Sequence, residues 1–323
     1  MQPTTLLKPL KNETTPQAKT LVVIDLGNGQ VQALIRLPGA AKFERVSFPS
    51  YVAETEQSNS DCLRIVSGKA LKAYLVGEHA AAVPMSHTGL DENGKAANAK
   101  LLVLHALRLA FGDEIKAIHC DVIFTSPSNK AYGSDISKQL QDVHPVTIPA
   151  DAEVIGSEAK TYTVVIHRAI PLLEGHYAFT ALKLKGDAWI LDVGNRTLIA
   201  TKVSSKGRIL KRDYFGGCGV RGLAERITAR ESLSAQMKEH TPEKVIDFLF
   251  SGEDVSEAIA ADVSACIAET LAFIGDDDSP RHLIGGGAGI PGMAGALGGK
   301  VAKNSQWINI QSLADASQQI LEA

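Results

Sequence analysis

Two aspartates carry the plainest chemical signal in this chain. Asp25 ends the apolar run Val22-Val23-Ile24 and is followed by Leu26-Gly27-Asn28-Gly29. Asp192 ends Trp189-Ile190-Leu191 and is followed by Val193-Gly194-Asn195-Arg196-Thr197. Each copy is a buried strand, then Asp-x-Gly-Asn, then a second β-rich run. Glycine lets the backbone take positive φ and approach a ligand closely, and the exposed amides of such a turn form an anion-binding concavity. A carboxylate near phosphate needs a cation between them, and two aspartates converging on one Mg2+, mostly through its waters, meet that need. A single Asp-x-Gly is ordinary turn chemistry. Two matched copies, one in each half of the chain, predict two similar domains gripping one nucleotide from opposite sides. The rival reading is a pair of purely structural hairpins.

The totals are consistent with two domains of ordinary size, since the chain has 323 residues. It is 45% hydrophobic and 21% charged, with mean hydropathy near zero, the composition of a soluble protein. A net charge of -3 gives no electrostatic reason for direct nucleic-acid binding. No apolar stretch approaches the roughly 20 residues of a membrane span. Residues 1–20 are polar, lack the apolar region of a secretory signal, and are expected to be a disordered tail. A cytoplasmic protein is expected. Cys62, Cys120, Cys218 and Cys266 are scattered, with no spacing for zinc or a dithiol, and read as buried free thiols.

The elements that must position the two aspartates follow from periodicity. Strands are predicted over residues 21–26, 30–37 and 43–48, then a smaller inserted lobe over about 40–95 with strands at 63–66 and 73–76. An all-round apolar helix is predicted over 98–111, closed by Gly112. Next come a strand at 118–125, a helix at 132–143, and strands at 146–148, 153–155 and 162–166. Residues 169–184 read as helical at their centre. The order then repeats: hairpin strands 198–203 and 208–214, a glycine cluster Gly216-Gly217-Cys218-Gly219, helices 220–230, 243–250 and 255–274, and a strand 282–284 opening into Gly285-Gly286-Gly287. A short helix, a strand near Lys300-Val301 and a helix from Ser312 finish the chain. The class is α/β. Asp276-Asp277-Asp278 reads as a solvated acidic turn.

In this order the motifs resemble the actin/heat-shock-chaperone/sugar-kinase ATPase superfamily, and within it the bacterial actin-like ParM/StbA plasmid-segregation proteins, over residues 20–323. Asp25-Leu26-Gly27-Asn28-Gly29 resembles the family's first phosphate loop, and Asp192-Val193-Gly194-Asn195-Arg196-Thr197 its second. Leu283-Ile284-Gly285-Gly286-Gly287-Ala288 is similar to the adenosine motif. Pro171-Leu172-Leu173-Glu174-Gly175 is similar to the connecting segment. The resemblance implies a two-lobed actin-like ATPase fold, that is, duplicated ribonuclease H-like domains with inserted subdomains. The first domain would span 21–184, the second 185–304, with a C-terminal helix at 305–323 packing back on the first.

The resemblance also implies ATP and Mg2+ in the interdomain cleft. Asp25 and Asp192 would organise the metal, and Glu174 would polarise the attacking water. Gly27, Gly29 and Gly194 would offer amides to the β- and γ-phosphates, within loops that also hold Asn28, Asn195 and Thr197. Gly285, Gly286 and Gly287 would sit against adenosine. Gly216 and Gly217 would start a helix near the nucleotide, with Glu225 on it as a candidate for the ribose hydroxyls. The implied function is an ATPase that self-associates head to tail into a nucleotide-dependent filament for plasmid or DNA segregation, reaching DNA through an adaptor protein.

There are departures. A phosphate-touching Lys of many actin-like members is replaced by Gln32. Arg196 inside loop two is unusual, and it either supplies the missing charge or points to solvent. The Leu172-Leu173 insertion leaves the register of Glu174 open. A small-molecule kinase of the same superfamily remains an alternative, as does a non-catalytic nucleotide-binding scaffold, which Gln32 supports. Two other glycine patterns are decoys. The one over 287–292 has too little chain after it for a dinucleotide-binding half. The one over 89–96 lacks the Ser/Thr of a Walker A loop.

Overall fold

The computed structural model describes residues 19–57, 59–67, 70–83, 87–88, 92–112, 117–127, 132–151, 153–230 and 241–322. Residues 1–18 of the tail expected over 1–20, and 89–91 of the glycine pattern over 89–96, lie outside the described residues; Thr20 is already a buried residue of β1. The chain opens with a meander of β1 (Thr20–Leu26), β2 (Gln30–Arg36) and β3 (Glu44–Pro49). It continues through β4 (Tyr51–Thr55), β5 (Leu63–Ser67), β6 (Ala70–Val76), the one-turn helix α1 (Glu78–Ala81) and β7 (His87–Thr88). Then come α2 (Glu92–Phe111), β8 (Ala117–Ser126), α3 (Tyr132–Leu140), β9 (Val143–Ile148) and β10 (Lys160–Leu173). Among the described residues these strands form one sheet in the order β3-β2-β1-β8-β10-β9-β5-β6-β4-β7. The strands of residues 51–88 continue that sheet, because β5 pairs antiparallel with β9 through Ile65 and Val146.

After the short helix α4 (Ala178–Leu182) come β11 (Ala188–Val193), β12 (Thr197–Val203) and β13 (Ile209–Gly216), again an antiparallel meander. Helices α5 (Val220–Thr228), α6 (Pro242–Leu249) and α7 (Ser256–Ile274) lead to β14 (Arg281–Ile284). A 3-10 turn at Gly286–Gly289, α8 (Met293–Ala296), β15 (Lys300–Val301) and α9 (Ile308–Glu322) close the chain. The second sheet runs β13-β12-β11-β14-β15. Its first four strands repeat β3-β2-β1-β8: a meander whose first strand is joined in parallel by a later strand, β8 in one sheet and β14 in the other. The fold is therefore α/β with a duplicated half, the two-lobed class expected.

Both faces of the first sheet are covered, and that is why β1 is apolar almost throughout. Helix α2 lies against one face and buries Leu101, Leu102, Val103, Leu104 and Leu107. It ends where Gly112, at φ 70, donates to the Arg108 carbonyl at 2.8 Å, a left-handed glycine cap. Helix α9 covers the other face, with Ile310, Leu313 and Ala314 against Leu21, Val23, Leu34 and Ile123. In the second half, fully buried Trp189 and Leu191 pack with Leu223 of α5 and Ile267 of α7. Each such side chain contributes about 1.5–3 kcal/mol over its exposed state.

Four expectations need correction. Residues 153–155 form a turn, not a strand. Asp151 Oδ1 accepts from the Glu153 amide at 3.1 Å, and the Asp151 amide donates to Ser157 Oγ at 2.7 Å. These local side-chain bonds displace a ladder and leave Val154 and Ile155 exposed. The helix read into the centre of 169–184 is confined to α4 at 178–182, since β10 runs on to Leu173 in parallel register with β8 and 174–177 form a turn. Beyond Val165 that stretch has no β9 neighbour, so Pro171 sits on an edge, where its missing N–H is tolerated. Helix α3 stops at Leu140 and Val143 already belongs to β9, its amide donating to Asp142 Oδ1 at 2.7 Å. The acidic turn is not wholly solvated, for Asp277 bonds Lys202 Nζ at 2.6 Å and its carboxyl is held well below the usual range, chiefly by that bond.

The four cysteines are buried free thiols. No helix of the described residues is long and apolar enough to cross a membrane.

Candidate functional site

Both Asp-x-Gly turns leave their strands at equivalent points. Asp25 pairs across its hairpin with Gln32, and Asp192 with Ile199. The turns face each other over a cleft of about 540 Å³, and both aspartates line it. Loop one contributes Gly27, Asn28 and Gly29; loop two contributes Gly194, Asn195, Arg196 and Thr197. Glu174, Gly285 and Gly286 complete the set of expected residues on its walls.

The glycines act by closeness rather than by backbone conformation. Gly27, Gly29 and Gly194 do not adopt positive φ, contrary to the reading from turn chemistry. A Cβ at Gly27 would run into the Gln30 carbonyl oxygen, and one at Gly194 would lie 3.2 Å from the Thr197 carbonyl. A Cβ at Gly29 would come within 2.8 Å of the Asn195 side chain. That last contact marks where the two loops meet. Gly285 is different: its φ is 84, and a Cβ there would strike Asp192 Oδ1 and the Val193 carbonyl. Gly286 faces open space, whereas Gly287 is packed against Val193 and Val220 and does not line the cleft.

Loop two is held from behind. The amides of Gly217, Val220 and Arg221 donate to the carbonyls of Arg196 (2.9 Å), Gly194 (3.1 Å) and Asn195 (2.7 Å). The glycine cluster allows this, for a Cβ at Gly219 would sit 2.6 Å from two of those oxygens. Gly216 and Gly217 therefore lie behind the loop, at the end of β13, and not on the cleft wall. Glu225 is also away from the cleft, in an exposed pair with Arg221 at 2.9 Å.

Glu174 reaches the cleft because β10 keeps its register with β8: Leu172 faces Thr125, Leu173 faces Ser126, and the Glu174 amide then donates to the Ser126 carbonyl at 3.0 Å. The extra leucines extend the strand without moving the carboxylate out of the site. The next residue, Gly175, has φ 72, and a Cβ there would lie 3.1 Å from Asp192 Oδ2.

Two supporting residues escaped the sequence reading. Thr125 donates to Asp25 Oδ1 at 2.5 Å, brought there by the parallel pairing of β1 and β8. Arg212 on β13 donates through Nη1 to the Glu174 carbonyl at 3.0 Å and to Thr201 Oγ1 at 2.5 Å. Burial lowers its pKa, and the charges of Glu174 and Asp192 act the other way. An arginine in an otherwise ordinary strand after loop two was the available signal for it. Ile246 within α6 and Phe250 just past its end add an apolar wall with Val220. Gln306 Nε2 donates to Gln30 Oε1 at 3.0 Å, both on the cleft lining.

The donor set suits a metal-bound polyanion. Among the described residues no group of three or more His, Cys, Asp or Glu could hold a metal by side chains alone. Asp25 and Asp192 fit a hard cation that keeps most of its waters. Asn28 Oδ1 and Arg196 Nε are buried with no hydrogen-bond partner among the described residues, polar capacity that a ligand would satisfy.

Two sheets of matched topology, with a cleft between matched Asp-x-Gly turns, define the actin-like two-domain fold. Compared by sequence, the chain matches no protein-family model and no curated protein. Compared by structure, it is similar to an archaeal actin homologue, with a TM-score of 0.71 and 17% identity over 93% of this chain and 99% of that one. It is also similar to Bacillus thuringiensis ParM with ADP, at TM-score 0.66 and 17% identity over 94% of this chain and 100% of that one. A 15-stranded ParM filament from Clostridium botulinum matches at TM-score 0.64 and 15% identity, over 94% and 100%. The resemblance to actin-like and ParM proteins thus covers most of the chain at the level of fold.

Proposed function

We propose that this protein is an actin-like ATPase that binds Mg-ATP in the cleft and assembles into nucleotide-dependent filaments. The observation that carries the reading is the convergence of Asp25, Asp192 and Glu174 on one cleft between two equivalent hairpins. Asp25 and Asp192 would hold Mg2+ through its waters. The metal would neutralise charge on the outer phosphates. The loop amides around Gly27, Gly29 and Gly194 would receive phosphate oxygens, and Gly285 and Gly286 would take the nucleoside side beside the wall of Ile246 and Phe250. Glu174 would orient a water toward the terminal phosphate, with Arg212 fixing its backbone. On this reading 21–184 and 185–304 are the two domains, and 305–323 returns to the first.

Cleft closure would favour a head-to-tail contact between copies. A heterologous contact that does not close into a ring builds a filament. The fold is shared with the ParM filament described above, which supports self-association. Plasmid or DNA segregation in the cytoplasm, through a DNA-binding adaptor, fits the near-neutral charge. The test is pelleting and light scattering with Mg-ATP, Mg-ADP or no nucleotide, with phosphate release followed in parallel. ATP-dependent pelleting followed by disassembly is expected, with phosphate release and disassembly both lost in Glu174→Ala. No pelleting with any nucleotide would overturn the filament reading and bring the small-molecule kinase forward.

A further inference from the structure

We propose that Arg196 is the protein's own cationic contact to the outer phosphates of the nucleotide; the inference rests on the nucleotide-binding reading above. The charges around the cleft set the problem. Asp25, Glu174 and Asp192 line it, and among the described residues Arg196 is the one cationic side chain on its walls. Gln32, which faces the cleft from β2 at the position paired with Asp25, is buried and neutral. Arg212 stands behind the wall, engaged by Glu174 and Thr201. A polyphosphate entering between three carboxylates needs more positive charge than a single divalent ion brings.

Arg196 is built to supply it. Its carbonyl is fixed by the Gly217 amide at 2.9 Å, and its neighbour Asn195 by the Arg221 amide at 2.7 Å, so the root of the side chain does not wander. The side chain is half-buried, forms no ion pair with a described residue, and has its Nε buried without an acceptor. The carboxylates on the same cleft lining are those of Asp25, Glu174 and Asp192. A buried guanidinium N–H without a partner is unfavourable, and a phosphate oxygen satisfies it. The guanidinium fork matches phosphate geometry in a way that an ammonium does not.

The experiment is calorimetric titration of Mg-ATP, Mg-ADP and AMP into wild type, Arg196→Gln, Arg196→Lys and the double variant Arg196→Gln/Gln32→Lys. The ratio of Mg-ATP to AMP affinity within each variant does not depend on how much of the sample is folded. Arg196→Gln is expected to weaken Mg-ATP by roughly 10- to 100-fold, the worth of a charge-assisted hydrogen bond, and to leave AMP unchanged. Arg196→Lys should fall between, and the double variant should regain part of the loss from the opposite wall. Wild type that binds Mg-ATP, with an unchanged ratio in Arg196→Gln, overturns the role of Arg196 alone. Wild type that binds no nucleotide overturns the nucleotide reading itself.

Discussion

The point where the loops meet offers a perturbation whose size can be worked out. In Gly29→Ala the new Cβ would lie 2.8 Å from both Cγ and Nδ2 of Asn195 and 3.0 Å from its Cβ. Comfortable carbon contacts begin near 3.5 Å, so the walls are short by about 0.7 Å. Overpacking of this kind costs about 1–3 kcal/mol. The unliganded protein can shed the cost by parting the loops, so global stability should change by under about 1 kcal/mol. A state closed on nucleotide cannot, and the affinity for Mg-ATP should fall by roughly 5- to 150-fold. Asn195→Ala removes Cγ and Nδ2, so adding Gly29→Ala in that background should cost much less than in wild type. Calorimetric titration across the four proteins measures this coupling, and thermal unfolding checks the fold. If Gly29→Ala binds Mg-ATP as wild type does, the two loops do not close on each other when nucleotide is bound.

Three further outcomes are expected. Arg212→Leu strips the donor from the Glu174 carbonyl and from Thr201, and should lower stability in urea by about 1.5–3 kcal/mol, with Arg212→Lys in between; an unchanged midpoint would show that the buried guanidinium holds nothing in place. Gly285→Ala puts a Cβ at positive φ against Asp192 Oδ1, and should cost about 2 kcal/mol or more and displace that carboxylate; a variant with wild-type stability and Mg-ATP affinity would contradict the packing described. His105, against Phe48 in the first core, has its pKa lowered to about 3, by burial first and then by the charges of Arg108 and His79. The unfolded chain therefore holds a proton that the folded one lacks between about pH 6.5 and 3, and stability falls as pH drops through that window by up to about 1.4 kcal/mol per unit. Urea unfolding at pH 7 and 5 should show a shallower fall for His105→Leu, with burial of His144 accounting for part of what remains; equal slopes would remove His105 from the account.

The division between what was legible in the sequence and what was not follows the range of the interactions. Asp25 and Asp192 could be read because an apolar run, a carboxylate and a glycine turn are neighbours in the chain, and because the motif recurs. The repeated meander could be read for the same reason. Of the helix assigned within 169–184 only α4 forms, because residues up to Leu173 are drawn into β10 by β8, a partner that local periodicity does not show. The strand assigned to 153–155 failed in the opposite sense, since Asp151 and Ser157 bend the backbone by bonds too local for an apolar pattern to reveal.

The same rule sorts the site. Residues that meet the cleft sit in loops with recognisable spelling, while those that hold the loops come from elsewhere. Thr125 reaches Asp25 across 100 residues of chain, and Arg212 reaches the Glu174 carbonyl across 38. Neither belongs to a motif, because each is chosen by strand register. The glycines show the point most sharply. Gly29 looked like a turn residue needing an unusual φ, yet its backbone is ordinary, and what forbids a side chain there is Asn195 from the other half of the molecule. A glycine demanded by its own turn would stay required whatever stands in the facing loop, whereas one demanded by the facing loop is released when the facing side chain is cut back, which is why substitution at 29 has to be tested together with substitution at 195.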